Sequence, residues 1–316
     1  MRVAVTGASG RLGRTLVAAL ADAPFTGPAG PLAWDRSAFD LDAPNDVGAL
    51  LDRDRPEVVI HAAAWSDVDG CAVDPALALR RNGEATGVLA AACAERGIDL
   101  VAISTNEVFD GRRVDGHGYD PSDQPAPGNP YGVSKLDGER RAQAAFDAPT
   151  GAKLGIVRTA WLFGTPGRDF PSRILDAAER AAAAGTPLRV VGDEWGTPTY
   201  TLDCAEAIVE LLAADAIAGI HHVVNGHFAT RADWARFVAA RAGLDIEIVN
   251  IPMATWERPS TPPRWGVLAP TPLPSGESLR VWTDAMADYA PTLLRATRAS
   301  RTSAAGQAGQ AGKAAP

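Results

Sequence analysis

The sequence has few cysteines, no excess of positive charge and no long apolar run, and each shortage argues against a class of protein. Its 316 residues include three cysteines, which stand far apart without a Cys-x-x-Cys pair. An odd, scattered set excludes a complete disulfide framework, so we expect a reducing, cytoplasmic setting and no metal site. The formal charge of −8 argues against a nucleic-acid partner.

Apolar residues make up 46% of the chain, enough for a sizeable core. No stretch approaches the roughly 20 uninterrupted apolar residues of a membrane span, and Gly7 interrupts any signal-peptide-like start. We therefore expect no membrane segment. Residues 298–316 are rich in Ala, Gly, Gln and Ser without an apolar face, which predicts a disordered tail.

The first half of the chain alternates short apolar runs with helical patterns. The predicted strands are Arg2–Thr6, Leu32–Asp35, Val58–Ala62, Leu100–Ser104 and Leu154–Arg158. The predicted helices are Leu12–Ala21, Asn45–Asp54, Ala76–Arg96 and Pro130–Phe146. This alternation predicts an α/β fold with a doubly wound parallel sheet of the Rossmann type.

The second half is less regular. Helices are predicted at Phe170–Ala184, Ala205–Ala214, Thr230–Ala242 and Ser278–Tyr289, and 252–276 is proline-rich. A strand at Leu188–Val191 is predicted to return to the sheet. We expect a dinucleotide-binding domain over 1–158, with that returning strand near 186–215. A smaller mixed α/β substrate domain would take 159–185 and 216–297.

Three glycines stand three residues apart directly after the first strand and open the first helix. Glycine permits a tight turn and a close approach to a pyrophosphate, and the helix start offers free N–H groups. The strand–turn–helix context makes this a predicted dinucleotide site. Its predicted cofactor-binding residues are Gly7, Ser9, Gly10, Arg11, Leu12 and Gly13.

The charged residues near the predicted site give conflicting indications of whether NAD(H) or NADP(H) binds. Asp35 ends the second strand, where an acid usually binds ribose hydroxyls. Arg36 and Arg11 could instead face a 2′-phosphate, which favours NADP(H) and leaves NAD(H) open. Asp40 and Leu41 are placed near the adenine.

Small residues end the third strand. Ala62, Ala63 and Ala64 would let a cofactor lie close to the backbone. His61, just before them, is interpreted as a packing residue.

A tyrosine and a lysine stand four residues apart in "YGVSK", so a helix puts both on one face. A nearby ammonium lowers the pKa of a phenol, so Lys135 is expected to lower that of Tyr131. Tyr131 could then protonate an alkoxide formed by hydride transfer.

Several motifs together resemble the extended short-chain dehydrogenase/reductases, and within them the dTDP-4-dehydrorhamnose reductases, over roughly residues 1–295. They are "GASGRLG", "AAAWSDVDGCAVDP", "STNEVFDG", "YGVSKLDGE", "RTAWLFG" and "GDEWGTPTYTLDCA".

The resemblance implies NAD(P)H-dependent reduction of a nucleotide-linked 4-keto-6-deoxysugar, and it leaves a homodimer open. By resemblance, Thr105, Tyr131 and Lys135 form the catalytic triad. Asn82 matches a helix asparagine at the cofactor, and Trp161 lies near the sugar.

Two departures affect the predicted substrate residues, which besides Trp161 are Asn106, Glu107, Trp195 and Arg264. The reductases carry Thr-Asp-Tyr where this chain has Thr-Asn-Glu, and an amide cannot supply the proton that a dehydratase needs. Glu107 could contact sugar hydroxyls, or act as a base in an epimerase or dehydratase. The reductases usually show Arg-Pro before a short stretch that ends in Leu. In the aligned segment, Pro262–Leu268, the usual arginine is missing, and Arg258 or Arg264 could substitute. A cofactor-binding regulatory subunit, like that of methionine adenosyltransferase, is the other alternative.

Overall fold

The computed structural model describes residues 1–147, 151–165 and 168–311, with side chains as far as residue 297. Six strands form one parallel sheet in the order β2-β1-β3-β4-β5-β10. They are β1 Val3–Thr6, β2 Leu32–Trp34, β3 Val58–His61, β4 Asp99–Thr105, β5 Leu154–Thr159 and β10 Gly219–His222. The order of the strands reverses at β1, since β2 lies on one side of it and β3 to β5 lie on the other. An open parallel sheet binds its ligand at such a point, here between β1 and β3.

Helices cover both faces of this sheet, as predicted. They include α1 Arg11–Ala21, α2 Val47–Asp54, α3 Val68–Val73, α4 Pro75–Ala78, α5 Ala85–Glu95, α6 Pro130–Phe146 and α8 Thr201–Ala213. One buried apolar cluster packs α1 and α8 against one face, and a second packs α2 and α5 against the other. A π-helical turn, Leu79–Glu84, joins α4 to α5. The doubly wound α/β prediction is confirmed.

Smaller elements build the remainder. The short strands are β6 Leu162–Phe163, β7 Leu188–Val191, β8 Trp195–Gly196, β9 Thr199–Tyr200, β11 Ala229–Thr230, β12 Ile248–Ile251 and β13 Trp265–Gly266. They pair as β11-β8-β13, β12-β7 and β6-β9. The helices are α7 Phe170–Ala184, α9 Arg231–Arg241 and α10 Trp282–Ala311, which pack around the buried Trp234.

Two predictions need correction. Leu188–Val191 is a strand, but it pairs with Ile248–Ile251 in a separate sheet, so the strand predicted to return near 186–215 does not. Gly219–His222 takes the place beside β5. The predicted disordered tail is helical from 298 as far as Ala311, because alanine favours helix. Residues 312–316 lie outside the described part. The other domain limits stay a prediction.

Candidate active site

The glycine loop between β1 and α1 is tightly packed and leaves the start of α1 open. Gly7 has φ +63°, and a Cβ there would lie 2.8 Å from the backbone of Ala63. A Cβ at Gly13 would overlap the carbonyl of Gly7. Gly10 precedes α1 without a side-chain cap, and the first turn carries no acid, so the helix start is available to an anion. Ser9 lies exposed beside the loop.

The end of β3 also borders the cleft with small residues. Ala62 and Ala64 line the cleft next to the glycine loop, and their small side chains leave it open. His61 is buried between the hydroxyls of Thr6, at 2.8 Å, and Thr86, at 3.1 Å. Burial, followed by the charge of Lys135, lowers its pKa to about 3. His61 is therefore a neutral packing residue.

The charged side chains after β2 form hydrogen bonds with residues of the same segment. Asp35 accepts hydrogen bonds from the hydroxyl and the backbone N–H of Ser37, at 2.6 and 2.9 Å, and these lower its pKa. Arg36 donates to Asp40 at 3.3 Å and to Asp42 at 3.0 Å. Asp35 and Arg36 thus lie together at the exposed carboxyl end of β2, and their contact with a cofactor ribose stays a prediction.

Arg11 points elsewhere, which corrects its predicted place at a 2′-phosphate. Its guanidinium donates to the backbone carbonyls of Gly164 and Arg168, the second at 2.9 Å. It also lies 3.6 Å from the carboxylate of Asp169. The first residue of α1 faces the segment before α7 across the cleft, so Arg11 joins the glycine loop to that segment.

Two other predicted cofactor residues serve the protein's own structure. Leu41 packs against the core cluster beneath β2. Asn82, in the π-helical turn, is buried and uses its amide within the chain. It accepts from the N–H of Trp65 at 2.8 Å and donates to the Trp65 carbonyl at 3.0 Å and to the Ser134 hydroxyl at 3.1 Å. Asn82 therefore positions the wall of the cleft.

Helix α6 carries Tyr131 and Lys135 one turn apart, and both line the cleft. The Asn129 side chain caps this helix by accepting from the Gly132 N–H at 2.9 Å. A Cβ at Gly132 would overlap the carbonyl of Glu107. Glycine between the tyrosine and the lysine therefore lets the end of β4 pack against the first turn of α6.

The pKa of Tyr131 shifts opposite to the prediction. Burial and then the charge of Glu107 raise it, while a hydrogen bond with Thr105 lowers it only in part. Tyr131 is thus protonated at neutral pH, which suits a proton donor. Burial lowers the pKa of Lys135 to about 8. Within the described residues, its ammonium has no hydrogen-bond or ion-pair partner.

Three residues at the end of β4 enter the cleft. Thr105 accepts from the Glu107 N–H at 3.2 Å, and Asn106 donates to the carbonyl of Gly266 at 3.0 Å. The amide of Asn106 thereby ties β4 to β13. The carboxylate of Glu107 accepts from Asn129 at 2.5 Å.

The opposite wall comes from the segment before β6 and from helices α7 and α9. Trp161 stacks on Trp234 with a ring separation of 5.8 Å, and the guanidinium of Arg231 lies 3.5 Å from the centre of the Trp161 ring. Phe170 and Arg173 complete this wall. The sequence predicted Trp161 alone among these five, because nothing local distinguishes the other four from core or surface residues. The cleft measures about 480 Å³, within the usual range for ligand sites.

Trp195 and Arg264 are not in this cleft, contrary to the prediction. Both line a separate cavity. The Trp195 ring packs against Phe228 at 5.7 Å and Trp265 at 5.8 Å. Arg264 is 69% exposed and lies 3.9 Å from Asp193.

Among the described residues, no cluster of three or more His, Cys, Asp or Glu side chains could hold a metal ion. No helix in that part of the chain is both long and apolar enough to span a membrane.

Comparison with known proteins identifies the family. The family model described as the RmlD substrate binding domain matches residues 1–294. A dTDP-4-dehydrorhamnose reductase of Mycobacterium tuberculosis is 34% identical over 299 residues, or 90% of this chain and 91% of that protein. A dTDP-4-keto-6-deoxy-D-glucose reductase of Streptomyces niveus is 35% identical over 294 residues, or 92% and 96%.

A solved structure agrees with these relatives. The dTDP-4-dehydrorhamnose reductase of Bacillus anthracis in complex with NADP superposes with a TM-score of 0.80 at 27% identity, covering 91% of this chain and 98% of that one. Because the family model spans nearly the whole chain and the relatives exceed 30% identity over most of it, the chain belongs to the RmlD substrate-binding domain family.

Proposed function

We propose that the protein reduces the ketone of a nucleotide-linked 4-keto-6-deoxysugar with NADPH. One observation carries the proposal: Thr105, Tyr131 and Lys135 meet in the same cleft that the glycine loop opens into. The names of the relatives supply the substrate class, and the Bacillus anthracis structure supplies the cofactor.

The residues present fit a dinucleotide. Gly13 lets the start of α1 pack against the carbonyl of Gly7, and the uncapped start of α1 would hold the pyrophosphate. Asp35 and Arg36 would hold the adenosine ribose and its phosphate, and Lys135 the nicotinamide ribose. Bound NADPH supplies the hydride.

The chain's own groups would supply the proton and the orientation. Tyr131, protonated at neutral pH, donates its proton to the ketone oxygen, where negative charge develops. Thr105 orients that oxygen by a hydrogen bond. The positive charge of Lys135 stabilises the tyrosinate that forms. Trp161, on the opposite wall of the cleft, would contact the sugar.

A second cavity next to the cleft suits the charged part of the substrate. Its charged lining residues are Arg173, Arg189, Arg231 and Arg258 together with Asp67, Asp69, Glu107 and Glu194. Arg258 pairs with Asp69 and Arg231 with Glu194, whereas Arg173 and Arg189 have no carboxylate within 4 Å among the described residues. Burial and the charge of Arg231 lower the pKa of Arg173, whose guanidinium has no hydrogen-bond partner in the described ranges. Arg173 and Arg189 are therefore the cations in this cavity that would contact a nucleotide diphosphate.

The test is oxidation of NADPH and NADH with dTDP-4-keto-6-deoxy-D-glucose and other keto-sugar nucleotides. We expect turnover with NADPH, abolished by Tyr131→Phe with cofactor binding retained. Cofactor binding without oxidation for any keto sugar would contradict the proposal and favour the regulatory role.

A further inference from the structure

Glu107 is a carboxyl group that the proposed reduction does not use, yet it lies beside Tyr131. It follows β4 in a short 3₁₀ turn, Asn106–Val108, whose backbone packs against Gly132 of α6. Its side chain lines both the cleft and the neighbouring arginine-lined cavity. Glu107 thus occupies the junction where a sugar and its diphosphate would meet.

The cations near Glu107 are already paired with other carboxylates. Arg231 donates to Glu194 at 2.8 and 3.0 Å, and Arg258 donates to Asp69 at 2.9 Å. Within the described residues, no Lys, Arg or His nitrogen lies within 4 Å of the Glu107 carboxylate. This carboxylate accepts one side-chain hydrogen bond, from Asn129. Among these residues, the second carboxylate oxygen therefore has no hydrogen-bond donor.

The charged surroundings of Glu107 leave it poised between its two protonation states. Burial raises its pKa to about 7, with Glu194 adding to the rise, and Asn129, Arg231 and Arg258 opposing it. Tyr131 and Cys71, which also face it, are both protonated near neutral pH because their own pKa values are raised. A carboxyl group with a pKa near the working pH is suited to taking and returning a proton.

We propose that Glu107 takes a proton from a carbon next to the ketone of the bound sugar and returns it, so that this hydrogen exchanges with solvent. The inference rests on the proposed substrate class. The C–H bond breaks, the proton moves to the free oxygen of Glu107, and the electron pair forms an enolate with its charge on the ketone oxygen. Tyr131 and Thr105 donate hydrogen bonds to that oxygen. The reverse step restores the ketone, and nothing is oxidised or reduced.

The experiment separates exchange from reduction. The protein is incubated in D₂O with dTDP-4-keto-6-deoxy-D-glucose and NADP⁺, which fills the site but cannot donate a hydride. NMR follows loss of the proton signals at C3 and C5. We expect exchange well above the rate without protein.

Two variants assign the base. Glu107→Gln keeps an oxygen that can accept from Asn129 but cannot take a proton, so the ratio of exchange to reduction should fall about 100-fold or more. Glu277→Gln, at an exposed position outside both cavities, should leave the ratio unchanged.

The outcomes are distinct. Reduction with NADPH but exchange at the background rate would overturn the inference and leave the reductase intact. An unchanged ratio in Glu107→Gln would also overturn it. Exchange that is lost in Glu107→Gln, in a protein that does not oxidise NADPH, would support the inference and contradict the reduction.

Discussion

Glu139 of α6, the helix that carries Tyr131 and Lys135, forms a buried ion pair with Arg158 of β5. Arg158 of β5 donates from Nε and Nη2 to the two carboxylate oxygens of Glu139, at 3.0 and 2.7 Å. Their side chains are 2% and 3% exposed. Ser104 of β4 donates a third hydrogen bond to the same carboxylate. Removing one partner of such a pair leaves a buried charge uncompensated, which costs about 3–5 kcal/mol.

We therefore expect Glu139→Gln to lower the free energy of unfolding by about 3–5 kcal/mol. Asp137→Asn is the matched control, since it removes one carboxylate charge from the same helix. Asp137 pairs with Arg141 at 2.6 Å, but their side chains are 31% and 48% exposed, so we expect a loss of about 0.5 kcal/mol or less. Urea unfolding at pH 7, followed by circular dichroism, measures both. Equal losses in the two variants would refute the reasoning.

Three further variants test the cleft. Gly13→Ala places a Cβ on a backbone carbonyl of the glycine loop, so NADPH affinity, measured by fluorescence titration, should fall at least about 10-fold. Gly128→Ala, with open space around it, should not change that affinity. Lys135→Met removes a buried ammonium whose pKa falls from 10.5 to about 8 on folding. The free energy of unfolding at pH 7 should therefore be about 1–3 kcal/mol higher in this variant, although turnover is lost. This gain in stability should vanish as the pH rises from 8 to above 10.5. Arg173→Gln should raise KM for the nucleotide sugar, most at low salt, whereas Arg180→Gln, exposed on the same helix, should not. An unchanged NADPH affinity in Gly13→Ala would contradict the first prediction, and a lower stability of Lys135→Met would contradict the second. Equal KM values in Arg173→Gln and Arg180→Gln would contradict the third.

The order of the elements was predictable wherever a strand can be recognised from its own sequence. Buried parallel strands such as Val58–His61 are continuous apolar runs, so their pattern is local. Gly219–His222 was missed because an edge strand with the sequence Gly-Ile-His-His has no such run. The partner of Leu188–Val191 was predicted wrongly because pairing depends on which other strand lies nearby, not on the strand itself.

The meeting of Thr105, Tyr131 and Lys135 in one cleft was predictable for a similar reason. Helical spacing puts Tyr131 and Lys135 on one face, and strand ends bring Thr105 to the same edge of the sheet. The direction of Arg11 and the pKa of Tyr131 were not predictable. Both depend on tertiary packing. The direction of Arg11 depends on the segment near Asp169, and the pKa of Tyr131 depends on the burial of its side chain.

Direct hydride transfer tests the central claim best. The protein is supplied with dTDP-4-keto-6-deoxy-D-glucose and NADPH deuterated at the transferring position of the nicotinamide, and the product is analysed by NMR. We expect deuterium at C4 of the sugar, and none with Tyr131→Phe. Deuterium retained in the cofactor while the wild-type protein binds both ligands would contradict the claim.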